Sequence, residues 1–205
     1  MSPAEDPRFW VLREALANYA ADPDDPPFRP GEILQAAVSI VLRGTEELEL
    51  LLIKRARMEG DPWSGHMALP GGRREGEEES LLETAIRETR EEVSISLSDS
   101  GSIHLGRLDE VSPQSTRLPS LSIHPFVFGV AGGTRGEPDP REVDRLHWIP
   151  VEYLRDPENQ DTIQMKLHGE VRDFPCFRVA GEAVWGLTHR ILSQFLEVSP
   201  ALLGR

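Results

Sequence analysis

Gly71-Gly72-Arg73-Arg74-Glu75-Gly76-Glu77-Glu78-Glu79-Ser80, continuing as Leu81-Leu82-Glu83-Thr84-Ala85-Ile86-Arg87-Glu88-Thr89-Arg90-Glu91-Glu92-Val93, reads as a glycine turn running into an acidic helix. Leu82, Ala85, Ile86, Thr89 and Val93 recur at spacings of three and four, so they share one helix face. Ser80 and Glu83 match a capping box, which predicts a helix over 80–93. Eight glutamates lie between positions 75 and 92. A charge run of this kind is ordinarily a solvated face. Placement singles out three of them. Glu88 and Glu92 stand one turn apart on one face, and Glu91 is three residues from Glu88. Like charges so placed oppose helix formation. Shielded from water the cost grows, to about 4 kcal/mol at 4 Å and an effective dielectric of 20. A bound divalent cation relieves it, and an all-oxygen donor set suits Mg²⁺ or Mn²⁺. Gly71 and Gly72 let a backbone carbonyl approach an ion or phosphate closely. Arg73 and Arg74 follow and can meet anionic oxygens.

Working outward, Ala36 to Leu42 and Leu48 to Ile53 are apolar and β-branched, with a polar turn between them, and predict a strand pair. Residues 55–65 read as an irregular loop, and His66 to Leu69 as a short strand. Downstream, 103–108, 122–130 and 145–149 read as strands. Residues 150–154 start a short helix, and 184–198 form a second amphipathic one. Upstream, Phe9, Leu12, Ala15, Leu16 and Tyr19 predict a helix over 7–21. Four prolines between Asp22 and Pro30 stop it, so residues 1–30 are read as an N-terminal extension and linker, and 31–205 as one domain. Mixed strands and helices without regular alternation predict an α/β class, either α+β or an α/β/α sandwich.

The 205-residue chain is long enough for one domain with a real core. Its net charge of −13 disfavours general nucleic-acid binding and an anionic membrane surface. A small anionic substrate remains compatible, because a divalent cation bridges it to acidic side chains. One cysteine, Cys176, excludes an intramolecular disulfide and a thiolate zinc cluster. No apolar run approaches the roughly 20 residues of a membrane helix. The first residues lack a signal-peptide pattern. A cytoplasmic location is the expectation, with monomer and homodimer both open.

The stretch Gly72…Glu79…Arg87-Glu88-Thr89-Arg90-Glu91-Glu92-Val93 resembles the Nudix box, the loop–helix–loop signature of Nudix hydrolases. Leu51-Leu52-Ile53-Lys54-Arg55-Ala56, the run from Gly65 to Gly72, Pro125-Phe126-Val127 and Val184-Trp185-Gly186-Leu187-Thr188 are similar to the coenzyme A pyrophosphatase branch. So is the one-residue insertion between Gly72 and Glu79. Three features depart from the pattern. Thr89 replaces an aliphatic residue, Ser94 replaces a glycine, and Arg57 sits too early to be the branch's second arginine.

The resemblance implies an α/β/α sandwich with a mixed sheet that hydrolyses the diphosphate bond of a nucleoside diphosphate derivative, best matched by coenzyme A. ADP-ribose, NADH, a dinucleoside polyphosphate and a non-catalytic nucleotide sensor are the alternatives. It implies Mg²⁺ or Mn²⁺ on Glu88 and Glu92, with Glu91 and the Gly72 carbonyl beside it. Gly71, Gly72 and Arg55 are the candidate substrate contacts, and Arg55 also reads as an ion-pair partner. Glu91 and Arg87 are the candidate catalytic residues, Arg87 by holding a glutamate. The general base has three candidates: Glu91, Asp109 and Glu110. Glu79 is read equally as an exposed first-turn residue. His66 reads as a plain loop histidine and Trp185 as core. A nucleotide is the expected partner.

Overall fold

A computed structural model describes residues 2–19, 26–28, 33–60, 63–77, 79–113, 120–167 and 170–199. The elements are α1 (Pro7–Tyr19), β1 (Leu34–Gly44), β2 (Leu48–Arg55), β3 (Met67–Ala68), β4 (Gly71–Arg73), α2 (Leu81–Val93), β5 (Ser102–Arg107), β6 (Leu121–Val130), β7 (Val143–Pro150), α3 (Val151–Arg155), β8 (Gln160–Leu167), β9 (Glu170–Val179), β10 (Glu182–Trp185) and α4 (Gly186–Val198).

Alternation along β1 and β2 divides the core. Ala37, Val41, Leu51 and Ile53 face α2, where they pack on Leu81, Ala85 and Val93. Ile40, Leu42, Leu50 and Leu52 face the other way, onto Phe9, Leu12 and Leu16 of α1 and Ile191, Leu192 and Phe195 of α4. Successive strand side chains point to opposite faces, so two runs of apolar sequence supply both cores. The sheet is mixed: β6 runs parallel to β1, and the other ladders are antiparallel. This is the sandwich expected, with α1 added at the N-terminus. Gly129 gives α1 its seat, because a Cβ there would press into the Phe9 ring.

The site is made possible by a split between β1 and β2. They pair with each other only over Leu42–Gly44 and Leu48–Leu50. Beyond that, β7 covers the outer edge of β2, and the inner edge pairs Ile53 and Lys54 with β3. β4 in turn pairs with Ala36–Val38 of β1. Residues 67–73 thus fill the gap, and Gly71 and Gly72, read from sequence as a turn, are strand residues. Their pairing is carried by main-chain groups, which leave no side-chain pattern to read.

Two other differences have similar causes. The β8–β9 hairpin and β10 form a separate three-stranded sheet absent from the sequence reading. Alternation of Ile163, Met165 and Leu167 was its signal. The helix read from 184 starts at Gly186, because Val184 and Trp185 pair with Phe177 and Cys176. The proposed linker lies largely outside the described residues.

α2 begins with the predicted capping box: the Glu83 amide donates to Ser80 Oγ at 3.1 Å, and the Ser80 amide to Glu83 Oε2 at 2.8 Å. Its buried face is Leu81, Thr84, Ala85, Thr89, Glu92 and Val93, with Leu82 and Ile86 only partly covered. Thr89, out of place among aliphatic residues, is matched by Ser39 on β1. The two hydroxyls meet at 2.7 Å beneath the Ala85 carbonyl. Ser94 caps the helix in the left-handed region, φ 55°. A serine there carries a cost that glycine does not. Ser94→Gly should therefore raise stability by about 0.5–1 kcal/mol without changing activity. Equilibrium urea unfolding checks this, and a lower midpoint would count against the strain argument.

Candidate active site

α2 presents its glutamates to the β3–β4 wedge. Glu92 is 1% exposed, and the Gly71 amide donates to its Oε2 at 2.8 Å. Burial pushes its carboxyl up to about 8, against the lowering effects of that bond and of the Arg55 guanidinium. Arg55 Nη1 stands 3.9 Å from Glu92 Oε1. Glu88 sits under Gly72, where a Cβ would overlap its carboxylate. Glycine is needed at 71 for a second reason: φ is +151°, and a Cβ would strike the Ala37 carbonyl. Glu88 is also raised, mainly by burial, with Glu91 and Glu142 adding repulsion.

Arg87 organises the outer side. Nε donates to Glu79 Oε1 at 2.8 Å, and Nη1 to Glu88 Oε1 at 2.8 Å and Glu91 Oε2 at 3.2 Å. Nη2 donates to the Arg73 carbonyl at 3.0 Å. Glu79 is consequently held below the usual carboxylate range despite partial burial. One guanidinium therefore ties the first box glutamate to the last turns of the helix, a reach the planar fork allows. Glu91 remains half-exposed. Among the described residues, no three His, Cys, Asp or Glu side chains converge as a ready metal cluster. Arg87 draws Glu88 and Glu91 aside, and Glu92 leans on Gly71.

The remaining sequence candidates separate. Arg74 is turned inward, with Nη1 donating to Gln35 Oε1 at 3.1 Å and its guanidinium over the Phe28 ring; it braces the loop instead of offering itself to an anion. Asp109 lies against the Tyr19 hydroxyl. Glu110 accepts from Ser122 Oγ at 2.8 Å and lies 3.5 Å from His124 Nε2. Trp185 packs against Phe174 and His66, at 5.6 and 5.3 Å between ring centroids. Trp148 stacks on Arg43 and donates to the Arg135 carbonyl.

Glu142 went unnoticed in the sequence. The Glu137 and Asp139 amides donate to the carbonyls of Val93 and Glu92, at 2.8 and 2.9 Å. These satisfy the exposed end of α2 and dock the following loop against it. Glu142, on that loop, adds negative charge at both Glu88 and Glu92. Fifty residues from the box, with no local motif, it had no legible signal.

Residues 33–167 match the NUDIX domain. The chain is 39% identical over 118 residues to an uncharacterized protein of Schizosaccharomyces pombe, C14C4.10c, covering 57% of this chain and 36% of that one. It is 27% identical over 163 residues to the human mitochondrial coenzyme A diphosphatase NUDT8, covering 78% and 66%. The chain thus spans from about a third to two thirds of these relatives' lengths. A MutT/nudix family protein from Enterococcus faecalis superposes with a TM-score of 0.54 at 18% identity, over 97% of this chain and 73% of that one; this likeness speaks for the fold. No helix among the described residues is long and apolar enough to cross a membrane.

Proposed function

The chain belongs to the Nudix family, and from that membership we propose that it is a metal-dependent pyrophosphohydrolase acting on a small nucleotide, with coenzyme A as substrate. The observation that carries this reading is the buried carboxylate of Glu92 beside the partly buried one of Glu88, under a main-chain wedge that only glycine permits. Two desolvated acids one turn apart repel each other, and nothing in the core requires them there. Their chemistry is all-oxygen, which fits Mg²⁺ or Mn²⁺. Glu88, Glu92, the half-exposed Glu91 and the Gly72 carbonyl would hold the ion. When bound, it neutralises the diphosphate and lowers the pKa of a coordinated water.

The chain's residues do the rest. Arg87 keeps Glu88 and Glu91 at the opening. Arg55, on the open side of Glu92, meets phosphate oxygens. Glu91, the most solvent-accessible of the three, accepts the proton as water oxygen bonds to phosphorus and the bridging P–O bond breaks. Glu142 adds charge at the same place. The buried free thiol of Cys176 suits a reducing, cytoplasmic setting.

Similarity to a coenzyme A diphosphatase, and the box insertion, support coenzyme A over its competitors. A Mg²⁺-dependent product screen decides. Coenzyme A should give 3′,5′-ADP and 4′-phosphopantetheine, with a specificity constant at least several-fold above that for ADP-ribose. A clear advantage for ADP-ribose, NADH or a dinucleoside polyphosphate would remove coenzyme A while keeping the hydrolase reading. Tight nucleotide binding without any turnover would instead favour a sensor.

A further inference from the structure

Trp185, Phe174 and Ile163 lie in neither of the two apolar cores, and each stays partly exposed. Ile163 and Phe174 are direct cross-strand partners on the β8–β9 hairpin, so they share a face. Phe174 meets Trp185 at 5.6 Å between ring centroids, and Trp185 meets His66 at 5.3 Å. Together they form one continuous, mostly aromatic ledge. Its ring planes are inclined at 58° and 57°. In the pair Phe177–His189 the rings close on each other, 4.6 Å apart and only 27° from parallel. The Trp185 indole has no such parallel partner among the described residues, so a planar group can lie against it. Apolar surface left outside the core in this way is costly in water and marks a binding surface.

The ledge begins beside the carboxylate site. The Arg55 amide donates to the His66 carbonyl at 2.9 Å, which extends the Ile53–Ala68 and Lys54–Met67 pairs by one residue. Arg55 and His66 therefore stand opposite each other and project to one face. That face is turned to α2: Ala68 packs there, and Arg55 Nη1 lies 3.9 Å from Glu92 Oε1. A diphosphate that lies over Glu88 and Glu92 and meets Arg55 has the ledge as its next neighbour. We propose that the ledge is a subsite for the nucleobase of the substrate, with Trp185 as the stacking platform between His66 and Phe174. The inference rests on the pyrophosphohydrolase reading for the place of the diphosphate. Every base offers a π-face, and an aromatic side chain holds it without reading its hydrogen-bond pattern. Three rings in a row suit a planar partner; an aliphatic arm would be held as well by aliphatic side chains.

The test compares AMP with ribose 5-phosphate, which differ in the base alone, by calorimetry in Mg²⁺. AMP should bind about tenfold or more tighter. Trp185→Leu keeps an apolar side chain without a ring and should remove most of that preference, whereas Trp185→Phe should retain most of it. Phe174→Leu, on the hairpin, is the second variant and should reduce the preference several-fold. Equal binding of the two ligands by wild type, or a preference that both leucine substitutions leave intact, overturns the subsite. Turnover of coenzyme A and octanoyl-coenzyme A tests the rival occupant. If Trp185→Leu alters only the ratio between those two, the ledge holds the substrate's other arm and the base assignment falls. AMP binding needs no turnover, so the two readings fail separately. A base preference lost in Trp185→Leu upholds the subsite even if no diphosphate is cleaved. Cleavage without a base preference keeps the hydrolase and removes the subsite.

Discussion

Glu92→Gln should make the metal-free protein more stable at pH 8 and lower turnover by on the order of 10²-fold or more. Both effects come from one carboxylate. Glu92 is buried, and its carboxyl rises from 4.5 to about 8. The sign follows from linkage. An acid raised by folding is held neutral in the native state, so the folded chain binds more protons than the unfolded one between these values. Stability is then highest at the acid end of that window and declines as pH climbs through it, levelling above about 8. The full loss is on the order of 5 kcal/mol. Glutamine has nearly the same shape, carries no charge, and its amide oxygen still accepts from the Gly71 amide. In EDTA, wild type should lose thermal stability from pH 5 to pH 8, while the variant should lose clearly less, keeping only the smaller decline that the raised Glu88 contributes. Saturating Mg²⁺ should restore wild type and leave the variant unmoved. Parallel pH profiles for the two proteins, or near-normal turnover in the variant, would show that Glu92 is neither the strained acid nor a ligand.

Arg87→Lys is expected to lower turnover by roughly 10–100-fold, the range for residues that orient a metal's ligands. Arg87 spans Glu79, Glu88, Glu91 and the Arg73 carbonyl. An ammonium keeps the charge but has no fork to bridge them. The four-residue spacing from Arg87 to Glu91 by itself favours Glu91 as the partner. In the structure the contacts to Glu79 and Glu88 are shorter, at 2.8 Å each against 3.2 Å. Double-mutant cycles on turnover should therefore show coupling to Glu91→Gln, and stronger coupling to Glu79→Gln. Full additivity with both would place Arg87 on the substrate phosphate instead.

What could be read in advance was what local pattern carries. The acidic helix, its capping box and the glycines announced themselves, because a four-residue spacing places side chains without knowledge of the rest of the fold. The β1–β2 pair was equally plain. Three things were not. The roles of Gly71 and Gly72 as strand residues depend on main-chain pairing with β1. Arg74 looked like an anion contact and is a loop brace, since Gln35 and Phe28 are far away in sequence. Glu142 reaches the site because the amides of Glu137 and Asp139, earlier in its loop, bond the end of α2. Thr89 shows the reverse case, an apparent departure from the box answered by Ser39 on a neighbouring strand.

The parallel ladder between β1 and β6 also bears on how the chain assembles. It joins Leu34 to Leu121 at one end and Arg43 to Val130 at the other, a separation of nearly half the chain. Closing so long a loop costs entropy before any contact repays it, and such topologies fold slowly. α2 carries its own cap and amphipathic face, so it can form while β1 still lacks its central partner. During synthesis, the glutamates would be in place on a helix before the sheet beneath them is complete. Until residue 130 has left the ribosome, the apolar edge of β1 is an unpaired strand open to wrong partners.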